Sequence, residues 1–172
     1  MKEELVVLVN EMDEKIGLMP KLEAHEKGVL HRAFSVFIYN DKGQLLLQQR
    51  ALHKYHTPGL WANTCCSHPR DGESPLEAGV RRLQEEMGFE TSLIYRKSFI
   101  YKASFDNGLT EHELDHILIG RYDEEPNINP EEVADYVWMH IPDILEDIEL
   151  NPDKYTAWFK IILREHLDAI KL

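Results

Sequence analysis

The chain's only two cysteines stand side by side in the stretch NTCCSHPRDGE, residues 63–73, and His68 follows Cys66 by two positions. Adjacent cysteines do not suit a structural disulfide, because bridged cysteines prefer Cα separations above the ~3.8 Å of neighbours. They also lack the paired CxxC spacing of a structural zinc site. Side chains alternate between the two faces of a strand. A strand running over 61–68 would therefore put Cys66 and His68 on one face with Ala62 and Thr64, and turn Cys65 the other way. Cys66 is then the candidate reactive thiol and Cys65 a small core filler. Spacing alone equally allows two buried structural thiols.

The same parity governs Glu111-His112-Glu113-Leu114-Asp115. Glu111 and Glu113 project from one face and Asp115 follows them. Acids in line repel one another unless they face water or a cation. A solvated sheet face is the plain reading. Beside His25, His31 and His68 a cation becomes the alternative, since imidazole with carboxylate is a zinc or transition-metal ligand set. Lys21, Arg50 and Lys54 flank these segments, and Arg81 and Arg82 fall on a predicted helix. Such residues bind phosphate by paired and point-charge contacts, and equally serve as surface solubilisers.

These side chains need elements to hold them. Leu5–Asn10 reads as a first strand, followed by a loop through Gly17 and Pro20. Ala33–Tyr39 and Gln44–Gln49 read as a hairpin around Asn40-Asp41-Lys42-Gly43, and Trp61–Cys66 as a short strand. A helix then starts at Ser74-Pro75, with Glu77 completing a capping box and Gly88 ending it. Its apolar stripe is Leu76, Val80, Leu83 and Met87. Glu85 lies opposite that stripe, and Glu86 at its edge, on the side of Arg82. Strands are predicted over Leu93–Phe105, Glu111–Tyr122 and Tyr136–His140, and a short helix over Pro142–Ile148. A last helix is expected to start at Asn151-Pro152 and to bury Tyr155, Trp158, Phe159 and Ile162. The order implies a mixed sheet with helices packed on it.

With 172 residues and 43% hydrophobic content, the chain fits one domain, 1–172, with a real core. A net charge of −12 disfavours nucleic acid and anionic lipid as partners. No apolar run approaches the ~20 residues of a membrane span, and the acidic start is unlike a signal peptide, so the expected location is the cytoplasm.

Ser67 to Phe89 resembles a degenerate Nudix box, with Glu73, Arg81, Leu83, Glu85, Glu86, Gly88 and Phe89 on pattern. Ser67 stands where the box opens with Gly, and Arg82 where a Glu normally follows Arg. That substitution removes a metal-binding carboxylate of the hydrolases and speaks against hydrolysis. Over nearly the whole chain the sequence resembles the type 1 isopentenyl-diphosphate delta-isomerases, a non-hydrolytic Nudix branch. The resemblance runs through Lys21, the EAH segment ending at His25, LHRAFS with His31, RALHK, WANTCCSHP, TEHEL and the AWF segment around Trp158.

The resemblance implies an α/β (α+β) fold, a Nudix-type mixed β-sheet packed between helices in a single compact domain. It implies isomerisation of isopentenyl and dimethylallyl diphosphate in isoprenoid biosynthesis, through a carbocation-like intermediate. Cys66 and Glu113 would be the catalytic pair, Tyr101 would support Glu113, and Trp158 would face the hydrocarbon. His25, His31, His68, Glu111 and Glu113 would hold a divalent metal, Mn2+, Zn2+ or Mg2+. Glu86 would help bind a Mg2+ bridging to the diphosphate, which Lys21, Arg50, Lys54 and Arg82 would contact. The partner would be this small molecule alone, with no nucleic acid or membrane, and the chain a monomer or weak dimer. The alternatives are a Nudix hydrolase of a nucleoside diphosphate compound and a non-catalytic Nudix module that binds a metabolite.

Overall fold

The apolar run Ala33-Phe34-Ser35-Val36-Phe37-Ile38-Tyr39 is buried at every position, as in a strand covered on both faces. In the computed structural model, which describes residues 4–171, this run belongs to the strand around which the sheet is built. The elements are β1 (Leu5–Val9), β2 (Lys15–Pro20), α1 (Lys21–Lys27), β3 (His31–Tyr39), β4 (Leu45–Arg50), β5 (Trp61–Ala62), β6 (Cys65–Ser67), α2 (Pro75–Met87), β7 (Leu93–Ser104), β8 (Thr110–Arg121), β9 (Val133–Met139), α3 (Ile141–Leu150) and α4 (Ala157–Glu165). Residues 1–3 and 172 of the expected 1–172 domain lie outside the described residues.

The sheet has nine strands and is mixed and open. β3 runs parallel to β8 along its full length and antiparallel to β6, and β7 pairs antiparallel with β8. Ser35 has one Cα partner in β6, Cys66, and another in β8, Ile117, so those two strands flank β3 on opposite sides. One face of the sheet carries Phe37, Ile117 and Ile119 against Phe159, Ile162 and Leu163 of α4. The other carries Phe34, Val36, Ile38 and Leu118 against Ala78, Leu83 and Met87 of α2. Among the described residues no helix is long and apolar enough to cross a membrane.

The capping box of α2 forms as expected: Glu77 N–H donates to Ser74 Oγ, Ser74 N–H donates to Glu77, and Gly88 closes the helix in the left-handed region. The stripe is shifted from the expected one. Leu76 is 38% exposed, while Ala78, Gly79, Leu83 and Met87 are buried. Gly79 sets this angle, since a Cβ there would lie 2.6 Å from Leu118 Cδ1. The expected loop through Gly17 and Pro20 is instead β2 and the start of α1; β2 pairs with β1, which overrides its Gly-Pro content. The expected Trp61–Cys66 strand breaks at Asn63-Thr64. Thr64 Oγ donates to Leu46 O and accepts from Ile38 N–H, so a side chain replaces ladder bonds there. Asn151-Pro152 opens only a single 3-10 turn, and α4 starts at Ala157 after Thr156.

Candidate active site

Strand register brings the charged residues of distant segments together. His31 of β3 lies opposite Glu113 of β8, and Tyr101 of β7 opposite the same Glu113. His25 arrives from α1 and His68 from the end of β6. His25, His31, His68 and Glu113 offer ligand atoms all within 4.8 Å of one another. Nε2 of His31 and of His68 stand 2.9 and 2.7 Å from the same Glu113 Oε2, and the Tyr101 hydroxyl donates to Oε1.

The donor set fits a divalent cation. His31 Nδ1 is 2.9 Å from Val29 O, which places a proton there and leaves a lone pair on Nε2 of the neutral ring, facing a carboxylate oxygen. His25 Nε2 and His68 Nδ1 are buried with no hydrogen-bond partner among the described residues. Burial lowers His25 to about 3 and lowers His68 as well, so both favour the neutral form that a metal requires. Burial also opposes a charged His31, but its contacts with Glu113 prevail and raise it. Burial alone would raise Glu113; the His31 and His68 hydrogen bonds outweigh it and hold the carboxyl well below the usual range. Glu111, by contrast, is raised by burial and by Glu113's charge. The structure sets Glu111 apart from the other four expected ligands: its Oε2 contacts His56 Nε2 at 2.9 Å. The acids do not form a solvated face, since Glu111, Glu113 and Asp115 are all buried.

Cys65 and Cys66 point to opposite faces, as strand parity predicts. Cys65 packs under α2, and its thiol contacts Glu86 Oε2 at 3.3 Å. Cys66 lines a cavity of about 380 Å³ that also reaches His25, His68, Glu111, Glu113 and Trp158. Its thiol donates to Asn63 Oδ1 at 3.0 Å, and Trp158 Nε1–H donates to Sγ at 2.9 Å. Asn63 cannot turn, because Nδ2 donates to Val36 O and Cys65 O. Burial pushes the Cys66 thiol well up, and Asp115 adds to this, so the sulfur keeps its proton. Trp158 is both core and cavity wall, with the Arg50 guanidinium 5.4 Å from its ring centroid.

Lys21, Arg50, Lys54 and Arg82 all line the cavity. Three of them pair with carboxylates: Lys21 with Glu4, Lys54 with Glu132, and Arg82 with Glu86 and Glu132. Glu86 does not reach the cavity as expected. Its oxygens take hydrogen bonds from Gln48, Cys65 and Arg82, so it is spent beneath the cavity wall. Glu85, expected to face solvent, is only part-exposed and pairs with Arg81 and Arg82.

Sequence reasoning missed His56, Tyr55, Ser35, Asn63, Glu4 and Glu132. Ser35 donates to Asp115 at 2.8 Å, and Tyr55 reaches His25 Nδ1 at 3.5 Å. Asn63 stands in the WANTCCSHP stretch, two residues before Cys65, and proximity to the thiols was a usable signal. His56 and Glu132 meet their partners across long sequence separations, which no local spacing encodes.

A NUDIX domain matches residues 29–159. The chain is 52% identical to isopentenyl-diphosphate Delta-isomerase 2 of Photorhabdus laumondii, over 94% of this chain and 91% of the relative. It is 48% identical to isopentenyl-diphosphate Delta-isomerase of Serratia proteamaculans, over 95% and 91%. The fold is similar to the crystal structure of DR0079 from Deinococcus radiodurans, with a TM-score of 0.77 at 22% identity, covering 95% of this chain and 99% of that one. The chain therefore belongs to the NUDIX domain family and, within it, to the isopentenyl-diphosphate Delta-isomerases.

Proposed function

We propose that the protein interconverts isopentenyl diphosphate and dimethylallyl diphosphate by adding and removing protons, with Cys66 and Glu113 as the catalytic pair. The carrying observation is that these two residues stand on strands flanking β3 from opposite sides and line one cavity. Moving the double bond needs a proton delivered to the terminal alkene carbon and another taken from a carbon two positions away. Between those steps the central carbon is a tertiary cation. The groups that give and take must therefore sit on different sides of the skeleton. In each direction one of the pair delivers and the other removes. Tyr101 acts through its hydrogen bond to Glu113.

Trp158 presents aromatic surface where the cation develops, and its N–H fixes the Cys66 sulfur. Lys21, Arg50, Lys54 and Arg82 neutralise the diphosphate and hold the hydrocarbon end inward. Burial of the acids and of Trp158 limits water that would trap the cation. His25, His31, His68 and Glu113, with Glu111 beside them, would hold a divalent ion, Mn2+, Zn2+ or Mg2+. Its positive charge would set the proton affinity of Glu113. The same reading places the protein in isoprenoid biosynthesis in the cytoplasm, as a monomer or weak dimer.

The test is incubation with isopentenyl diphosphate in deuterated water, followed by NMR. Deuterium entering the hydrocarbon together with dimethylallyl diphosphate, and no released phosphate, is the expected result. Phosphate released from a nucleoside diphosphate compound without such exchange would establish the hydrolase instead.

A further inference from the structure

Among the histidines at the cavity, His56 lies outside the four-residue cluster, yet it touches two parts of the site at once. Its ring is buried and stands edge-on to Phe105, with centroids 4.7 Å apart at 86°. Nε2 is 2.9 Å from Glu111 Oε2, and the ring centroid is 5.1 Å from that of His25. Its backbone carbonyl accepts from Arg50 Nη2 at 3.2 Å. The next residue, Thr57, has φ +47°, a left-handed conformation that a β-branched residue adopts only under constraint. The Thr57 hydroxyl donates to the same His56 carbonyl at 2.8 Å. Local strain is thus tolerated at the point that fixes both ends of His56.

We propose that His56 is a positioning residue that holds Glu111 to the histidine–glutamate metal cluster and anchors the diphosphate-binding Arg50 through its carbonyl. This rests on the reading of the cluster as a metal site. An ionised Glu111 can only accept, so His56 supplies the proton from Nε2. Oε1 of Glu111 is buried with no partner among the described residues, so one carboxylate oxygen stays free while His56 holds the other. Groups that hold ligating side chains in place commonly change metal affinity ~10- to 100-fold when removed.

Mn2+ binding to the metal-free protein, followed by the EPR signal of free Mn2+, tests this without reference to turnover. His56→Ala should weaken Mn2+ by ~10- to 100-fold. His56→Gln carries an amide N–H donor at a similar reach and should stay within a few-fold of wild type. In a Glu111→Ala background, His56→Ala should add no further loss, because the side chain that His56 holds is already gone. Wild-type affinity in His56→Ala, equal losses in the Gln and Ala variants, or additive losses in the double variant would each overturn the positioning role. Circular dichroism on each variant separates these results from unfolding. His31→Ala serves as the control for the underlying reading: unchanged Mn2+ affinity there would remove the cluster itself, and the role of His56 with it.

Discussion

Cys65 and Cys66 are the same residue type one position apart, and their surroundings divide them completely. Cys65 fills space under α2 and meets Glu86; Cys66 opens on the cavity between Asn63 and Trp158. Cys66→Ala should lower turnover by ~10²- to 10⁴-fold, the usual contribution of a positioned acid or base, with little change in the urea midpoint. Cys65→Ala should do the reverse, costing about 1 kcal/mol from a small cavity and leaving turnover within a few-fold. Turnover and urea unfolding on the two variants check both halves, and equal loss of turnover in both would end the assignment of faces. Period-two alternation made this distinction legible, because it is a property of the backbone alone. The burial of Asp115 and its hydrogen bond from Ser35 were not legible. They depend on β3 lying parallel to β8, a pairing between segments about eighty positions apart.

The elements were legible where their ends carry local punctuation. Ser74, Pro75, Glu77 and Gly88 announce α2 because capping needs only residues within one turn. α1 is announced only at its end, where Gly28 closes it in the left-handed region; Pro20 precedes it and makes no side-chain cap, and β2 before it is largely exposed. β2 is held by pairing with β1, and the placement of Lys21 and His25 in the helix that follows depends on it. Gly88 carries more than a turn preference. Its φ is +75°, and a Cβ there would lie 2.3 Å from the backbone oxygen of Asn127. Gly43 has nearly the same φ, +76°, and open space around it. Gly43→Ala should therefore cost only the conformational penalty, about 1–2 kcal/mol. Gly88→Ala should cost clearly more, since backbone must also move at the end of the helix that carries Arg82 and Glu86. Melting temperatures of the two variants decide this, and similar losses would mean that the Asn127 segment yields freely.

At the scale of the whole molecule, the element order and the family resemblance anticipated a mixed sheet packed between helices. The cavity was not anticipated as a place where so many ionisable groups are buried together. That concentration ties the stability of the fold to pH. In the metal-free protein burial lowers His25 to about 3, and burial with Arg50 lowers His56 to about 4, both below the ordinary histidine value. The unfolded chain then binds more protons than the fold between the ordinary value and these lowered ones. Stability must fall as pH drops through that window. Glu111 and Asp115 act in the opposite sense, because their raised values mean that the fold loses stability when rising pH ionises them. A divalent ion at the cluster needs neutral histidines and ionised carboxylates, so its binding must displace the protons favoured by the raised His31 and by the neighbouring Glu111. The stabilisation by Mn2+ should therefore grow from pH 5 to pH 8. At a free concentration of ~100 times Kd it should reach about 2.7 kcal/mol, or roughly 5–11 °C for a chain of this size. Melting curves in EDTA and in Mn2+ across that range measure the difference directly. A difference in Tm that stays flat with pH would show that no ligand of the bound ion gives up a proton, which the histidine–glutamate cluster requires.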